Sequence, residues 1–186
     1  TGNIYVTTDY SVRKISADGK VTTMAGKPAQ GDFKPGSGKE ATFREIKAIA
    51  VDSKGNVYVA QNNNNGGGSS IAKISPAGLV SVFVGDINQW EKEGVSPDGI
   101  GKAARFMQIN ALTVDKNDNL LIGEKSRVRK VTPAGEVTTL AGNKTSDWRD
   151  AVGAKAMFRN IGGLCIDSKG NILVSDQFCI RKMVKQ

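Results

Sequence analysis

Histidine is absent from the 186 residues of this chain. Histidine is the usual general acid and base near neutral pH and the commonest zinc ligand, so its absence disfavours most hydrolytic and zinc-dependent chemistry. A calcium-type site would need several acids converging on one point, and the apolar repeats described below supply none. The sequence therefore predicts no catalytic residue, no metal site and no cofactor.

Other residue classes are scarce as well. Aromatic residues make up 6% of the chain, and there are two cysteines. No stretch approaches the roughly 18 apolar residues of a membrane-spanning helix. Glycine, by contrast, occurs 22 times. This composition favours one domain built from turns and small-residue packing.

Positive charge exceeds negative charge, since 26 Lys and Arg against 18 Asp and Glu give a net charge of +8. Such an excess attracts polyanions, for example nucleic acid or an anionic surface. It also arises when several strands each place a solvated cation on an outer edge. The second interpretation is favoured, because charge alone indicates solubility and nonspecific attraction.

A set of four short apolar runs recurs along the chain in a fixed order. The clearest copy lies within residues 98–142, and its runs are Ala111–Val114, Asn119–Ile122, Val128–Val131 and Val137–Ala141. Each run is rich in Val, Leu, Ile and Thr and too short for a helix, so each is predicted to be a β-strand. We label them a, b, c and d. Long repeats of four strands predict an all-β fold, a β-propeller with four-stranded antiparallel blades.

The repeated sequence is more specific than its strand pattern. Across the copies it reads Asp-Gly-x-Gly-x-x-Ala-x-Phe, Gly/Ala-Leu-x-Val-Asp, Gly-Asn-hydrophobic, Arg-Lys-hydrophobic and Gly-x-Val-Thr-Thr-Leu-Ala-Gly. The chain thereby resembles the NHL-repeat family of β-propellers over essentially its whole length, and in particular the glycine-rich bacterial type. Two features depart from the family pattern. The His that often precedes the Arg-Lys run is missing, and the acid after strand b is clear only at Asp176, with Gln61 and Glu124 at comparable places.

The repeats divide the chain into four blade pieces, residues 1–26, 48–85, 111–142 and 163–186. The first supplies strands b, c and d, the middle two supply all four, and the last supplies a, b and c. We expect a single domain forming an arc of about three and a half blades, which is part of a propeller, because closed propellers have about four to eight. Further blades of a parent chain, or a second copy, are expected to cover both ends. Without such cover the segment is expected to be unstable as a monomer.

Strand a has a bulky and a small face in each copy. In one copy Leu112 and Val114 form the bulky face, while Ala111 and Thr113 form the small one. The bulky face of one blade is therefore expected to pack against the small face of its neighbour. The cations of strand c are expected to point outward.

The long connections are expected on one side of the disc. Strands alternate in direction, so the d–a and b–c connections share one face. The long segments 27–47, 86–110, 143–162 and 62–70 are all connections of these two kinds. Long loops on a rigid scaffold are where binding usually resides.

Five residues in these connections are the candidate binding residues. Phe33, Trp90 and Trp148 each follow the glycine that ends a strand d, and Asn62 and Asn63 open the b–c insertion. The rings are suited to form a platform for a protein, a sugar or a base. Alternatively each ring covers its own loop, and this second interpretation is slightly favoured.

A second set of aromatic residues, Phe43, Phe106 and Phe158, recurs just before strand a. Their regular spacing predicts apolar plugs between blades.

Cys165 and Cys179 are predicted to be free thiols. Cys165 takes the place of Ala50 and Thr113 in other copies, so we expect a small buried apolar residue there. Strand b separates the two cysteines by about two strand spacings, roughly 9–10 Å. A disulfide requires Cα atoms within about 7 Å.

Three functions are compatible with these observations. The favoured one is a non-catalytic NHL-type module that binds a protein or glycan through the face carrying the d–a and b–c connections. The alternatives are an RNA-binding NHL domain with a basic surface, and part of a lactonase-like propeller enzyme whose site needs further blades. The resemblance implies an extracytoplasmic location, in the periplasm, on the surface or secreted.

Overall fold

The computed structural model describes residues 2–27, 31–63, 68–89 and 96–184. These residues form an all-β structure with four small antiparallel sheets in a four-blade propeller arrangement. Among them, no helix has the length and apolar character needed to cross a membrane.

Each sheet is one blade, and its strands follow one another along the chain. Blade 1 consists of β1 (Ile4–Thr7), β2 (Ser11–Ile15) and β3 (Val21–Gly26). Blade 2 consists of β4 (Gly36–Ser37), β5 (Glu45–Val51), β6 (Val57–Asn62), β7 (Ser69–Ile74) and β8 (Leu79–Gly85).

Blades 3 and 4 repeat this plan. Blade 3 consists of β9 (Gly99–Ile100), β10 (Ile109–Val114), β11 (Leu120–Glu124), β12 (Arg127–Val131) and β13 (Glu136–Gly142), with a 3₁₀ turn at Gly101–Ala103. Blade 4 consists of β14 (Ile161–Ile166), β15 (Ile172–Asp176) and β16 (Cys179–Met183), preceded by a 3₁₀ turn at Gly153–Lys155.

The predicted strand order is confirmed. Strands a to d of the complete blades are β5–β8 and β10–β13, while blade 1 has b, c and d, and blade 4 has a, b and c. The sequence did not predict β4 and β9. Each is a two-residue strand that pairs with the start of strand d of its own blade and adds a fifth strand at the outer edge.

The short turns follow from side-chain chemistry. In blade 2, Asp52 Oδ1 accepts hydrogen bonds from the backbone N–H of Lys54 (3.0 Å) and of Asn56 (2.8 Å). Its Oδ2 accepts bonds from the Asn56 amide (2.7 Å) and the Tyr58 hydroxyl (3.1 Å). An Asp that bonds its own backbone closes a turn, as predicted for every a–b connection. The carboxylate and burial together raise the pKa of Tyr58 well above its usual value, burial being the larger cause.

Each d–a connection folds into a hairpin, which we call the edge hairpin. The edge hairpins are residues 33–43, 96–106 and 148–158, and the first and last are closed by the bridges Lys34–Thr42 and Arg149–Met157. The first two edge hairpins contain β4 and β9, and they therefore extend to the start of strand d, with which these short strands pair. The described parts of the first two d–a connections therefore reach the outer edge of their sheets, whereas the sequence interpretation placed these connections on one face of the disc.

The edge hairpin ends in a phenylalanine that is buried between two blades. Phe43, Phe106 and Phe158 are 0%, 4% and 2% exposed, which confirms the predicted plugs. The glycine that ends the preceding strand d makes room for each ring. At Gly85, for example, φ is +82° and an added Cβ would lie 2.8 Å from the Phe106 ring. A side chain there would be strained and would displace the plug.

The core consists of the interfaces between blades. Ala48 and Ala50 of blade 2 pack in one cluster with Leu112 and Val114 of blade 3, so the predicted fit of a small face to a bulky face is confirmed. Equivalent clusters join blade 1 to blade 2 and blade 3 to blade 4.

The flank of blade 4 that faces away from blade 3 is uncovered. Cys165 lies there and is exposed, so the prediction that it is buried was wrong. Its burial would have required a neighbouring blade on that side. Both cysteines are free thiols, as predicted.

Candidate binding site at the blade edge

A buried arginine joins the edge hairpin of blade 3 to its sheet. Arg129 of strand c is fully buried, and its guanidinium lies 4.8 Å from the centroid of the Phe106 ring. Its Nη1 is 3.2 Å from Glu124 Oε1, and its Nη2 is 2.8 Å from Asp98 Oδ1. The prediction that strand c points its cations outward is therefore wrong for this residue. The sequence interpretation treated Arg129 as a solvated cation, whereas it forms ion pairs inside the blade.

Further hydrogen bonds fix this network in place. Arg129 Nη1 also donates to Ser96 Oγ (2.8 Å) and to the carbonyl of Arg105 (2.7 Å). Asp98 accepts hydrogen bonds from the N–H and hydroxyl of Thr139, both at 2.9 Å. Burial alone would raise the pKa of Asp98, but the bonds from Thr139 and Arg129 outweigh it and hold that pKa below its usual value.

Blade 4 repeats the arrangement. Arg181 pairs with Asp176 at the end of strand b (3.0 Å) and with Asp150 of the edge hairpin (2.7 Å). Its guanidinium lies 4.5 Å from the Phe158 centroid and 6.0 Å from the Trp148 centroid. The acid after strand b thus has a structural role in two blades, because it neutralises the arginine of strand c.

Blade 2 lacks all three charged members of this network. Ala72 stands at the position of Arg129, Gln61 at that of Glu124, and Pro35 at that of Asp98. Phe33, at the position of Ser96, instead stacks on the plug Phe43 with ring centroids 6.0 Å apart and planes inclined by 25°. One aromatic ring therefore replaces the guanidinium that lies against the plug in blades 3 and 4.

A shallow pocket of about 150 Å³ lies beside Phe33 and Pro35, two of the substituted positions. Phe33, Pro35, Ser70 and Val82 line its inner side, and each aligns with a residue next to the arginine network of blade 3. The outer side is lined by Gly85, Asp86, Ile87 and Asn88 after strand d, and by Lys102 of the next edge hairpin.

Of the predicted binding residues, Phe33 and Trp148 lie on the edge hairpins of different blades. Phe33 is half-buried and forms one wall of the pocket. Trp148 is 54% exposed and lies on the edge hairpin of blade 4, at the position equivalent to Phe33. Trp90 lies outside the described residues.

Asn62 has a structural task at an interface between blades. It is buried, its amide donates to the carbonyl of Ile109 (3.0 Å), and its carbonyl oxygen accepts from the Ile109 N–H (3.3 Å). At the other two interfaces the N–H of the equivalent isoleucine, Ile46 or Ile161, bonds a backbone carbonyl of the preceding b–c turn. Asn63 donates to the carbonyl of Ile87 (3.2 Å) beside the pocket. A ligand-binding role for either asparagine stays a prediction.

Within the described ranges, no three His, Cys, Asp or Glu side chains come together as a metal site. Of the buried acids found there, Glu124 and Asp176 are each paired with an arginine, and Asp52 accepts the hydrogen bonds of the turn that it closes.

Comparisons with known proteins support the fold of the chain. No family model and no curated protein sequence matches the chain. Among solved structures, it is similar to a protein of unknown function from Bacteroides thetaiotaomicron VPI-5482, at 22% identity and a TM-score of 0.55, covering 97% of this chain and 66% of that one.

Two further solved structures that are similar to the chain are named as enzymes. A candidate gluconolactonase has 13% identity and a TM-score of 0.56, over 94% of this chain and 53% of that one. Virginiamycin B lyase from Staphylococcus aureus has 15% identity and a TM-score of 0.54, over 99% and 52%. The chain thus spans between about half and two thirds of these proteins. At such identities the likeness shows a shared β-propeller fold, and that fold hosts many functions.

Proposed function

We propose that this protein is a non-catalytic β-propeller of the NHL-repeat type that binds a protein or a glycan at the rim formed by its edge hairpins. The observation that carries the proposal is the pocket of blade 2, which combines an aromatic wall with several polar groups. Aromatic anchors beside a concave, partly polar surface are typical of binding sites. The NHL assignment rests on the repeated motifs, and with it the proposed extracytoplasmic location.

The electrostatics favour this function over RNA binding. Arg129 and Arg181 are neutralised internally by acids, so they add little to a basic outer surface. RNA binding remains the second candidate, because Lys54, Lys116 and Lys169 are exposed or half-buried on the a–b turns of three successive blades. A row of lysines is suited to phosphate contacts.

The catalytic alternative has less support. Arg129 and Arg181 hold the buried carboxylates of Glu124 and Asp176 as ion pairs. The third buried carboxylate, Asp52, is bonded within its own turn. A general acid or base needs a carboxyl that is free to exchange a proton.

A binding assay with a salt titration separates the candidates. The protein is tested on a glycan array and against single-stranded RNA, and each binding constant is measured over a range of salt. Phosphate contacts give a log–log slope near −0.7 per contact, whereas a glycan or apolar protein contact changes little. A steep slope with RNA and no binding to glycans or proteins would contradict the proposal.

The variant Trp148→Ala tests the role of the second exposed ring. We expect weaker ligand binding with a loss of stability of about 1 kcal/mol or less, because the ring is 54% exposed and its contact with Arg181 is a long one. Equilibrium unfolding and ligand titration are measured side by side. A large loss of stability with unchanged affinity would show that the ring is a structural cap.

A further inference from the structure

The pocket of blade 2 lies at repeat positions whose side chains bond to one another in the other blades. In blade 3 the positions of Phe33, Pro35 and Val82 hold Ser96, Asp98 and Thr139, and all three belong to the hydrogen-bond network of Arg129. In blade 4 the positions of Phe33 and Pro35 hold Trp148 and Asp150, which contact Arg181. Blade 2 keeps the same strand register, since Ala72 pairs with Val82 as Arg129 pairs with Thr139. The pocket lining of blade 2 and the ion network of blade 3 are therefore different side chains on the same backbone plan.

The size of the pocket limits the occupant to one small group. Pockets that enclose a drug-sized ligand have volumes of about 300 Å³ or more. At about 150 Å³, this one accommodates a single ring or side chain of a larger molecule.

The lining combines an apolar wall with a polar rim. Phe33, Pro35 and Val82 provide the apolar wall. Asp86, Asn88 and Lys102 provide polar groups, and Asp86 already accepts a hydrogen bond from the Asn88 N–H (3.0 Å). An aliphatic side chain would satisfy the wall but would leave this carboxylate and ammonium without partners, at a cost in desolvation.

Charge excludes most ionic occupants. Among the described residues, the pocket lining contains one acid, Asp86, and one base, Lys102, so their charges balance. A guanidinium or ammonium group would lack the two acids that pair with each arginine in blades 3 and 4, because Gln61 and Pro35 replace them here. An anion would meet Asp86. The matching ligand is a neutral ring with one apolar face and hydrogen-bonding groups around its edge.

We propose that this pocket binds one pyranose ring of a glycan, with the sugar face stacked on Phe33 and its hydroxyl groups bonded to Asp86, Asn88 and Lys102. This assignment rests on the proposed binding function and names its ligand class. A single ring in a small open pocket binds weakly, so the expected dissociation constant for a monosaccharide is on the order of millimolar.

Nuclear magnetic resonance titration of the whole chain with D-glucose, D-galactose, D-mannose and N-acetyl-D-glucosamine tests the assignment. At least one sugar is expected to shift the amide signals of Ser70, Val82 and Asp86 in a saturable way. Shifts confined to other parts of the protein, or no saturable shift with any of the four sugars, overturn it.

The repeats themselves supply the test variants. Phe33→Ser introduces the residue that blade 3 has at this place, and it is expected to weaken sugar binding about tenfold through loss of the stacking face. Lys102→Ala introduces the residue of blade 4, Ala154, and is expected to weaken it several-fold. Ser81→Arg is the matched control, because Ser81 is exposed on the same strand as Val82 but outside the pocket, and it should leave binding unchanged.

The pattern of outcomes separates this assignment from the broader proposal. Unchanged sugar affinity in folded Phe33→Ser, with folding checked by amide protection, overturns the pocket assignment. If Phe33→Ser does not fold, Lys102→Ala decides the matter, and unchanged affinity there likewise overturns it. Binding of a glycan or protein on the array without sugar-dependent shifts at the pocket overturns the pocket assignment alone. Binding of RNA alone contradicts both.

Discussion

The interfaces between blades and the two end flanks carry the same residue types at the same repeat positions, in opposite surroundings. The first apolar residue of the Arg-Lys run is fully buried in blades 1, 2 and 3, as Val12, Ile71 and Val128, whereas Ile180 of blade 4 is 71% exposed. A propeller blade thus depends on its neighbour for the burial of its flank, as repeats in linear arrays do.

The opposite end shows the same dependence. Val57 and Val59 of blade 2 are fully buried against blade 1, while their counterparts Ile4 and Val6 in blade 1 are 59% and 37% exposed. Each flank thus presents one half of an interface that is complete between the inner blades.

The largest expected effect concerns the chain as a whole. Two apolar flanks without cover favour self-association or aggregation over a stable monomer. We expect scattering to show a concentration-dependent mass and calorimetry to show a broad transition. A monodisperse monomer with one sharp transition would show that the two end flanks do not need a partner, and the comparison between ends and interior would fail.

Phe106 and Phe178 form a matched pair for the next effect. Phe106 is 4% exposed between blades 2 and 3, and Phe178 is 84% exposed on the end blade. Phe106→Ala removes a packed ring and should cost about 3–5 kcal/mol of unfolding free energy. Phe178→Ala should change it by less than about 0.5 kcal/mol. Urea denaturation measures both, and similar losses would mean that the end blade is covered in solution.

A second pair of variants replaces an isoleucine that occupies the same repeat position in two blades. Ile71→Ala should cost about 2–5 kcal/mol, because Ile71 is fully buried in the interface with blade 3. Ile180→Ala should be nearly neutral in a monomer, since its side chain is mostly in water. If a second copy covers the flank of blade 4, the loss at Ile180 should appear at high protein concentration and disappear on dilution. Equal costs at every concentration would contradict our description of the end flank.

The sequence was sufficient to predict the strands of the blades, because their pattern occurs four times. Val, Ile and Leu alternate with turns that Asp and Gly fix locally, so Asp52 and its equivalents could be assigned without tertiary information. The two-residue strands β4 and β9 were not predicted, because they consist of residues typical of loops and pair with a strand more than 30 residues away.

The arginine network was not predicted from the sequence, for a different reason. An Arg-Lys pair on a strand is usually solvated, and burial of Arg129 depends on an edge hairpin whose path was not evident. A signal was nevertheless present within the chain. The one complete blade without the arginine, which has Ala72 in its place, also lacks the acid after strand b and the acid of the hairpin. Three positions that change together indicate a contact.

The smallest expected effect tests whether the ion network that joins the edge hairpin of blade 3 to its sheet responds to acid. The pKa of Asp98 lies below its usual value of 3.8, so its ionised form stabilises the folded state. That contribution is present above the unfolded pKa and is lost as pH falls through the folded pKa, which places the change below about pH 4.

Asp98→Asn should therefore lower stability at neutral pH and should make the acid limb of the stability curve shallower than in the parent protein. Since the Asp98 side chain is 45% exposed, solvent screening limits the expected loss to about 1 kcal/mol. Thermal melts of both proteins between about pH 5 and pH 2 measure the difference. Parallel curves over that range would show that the charge of the Asp98–Arg129 pair does not help to hold the edge hairpin of blade 3 on its sheet.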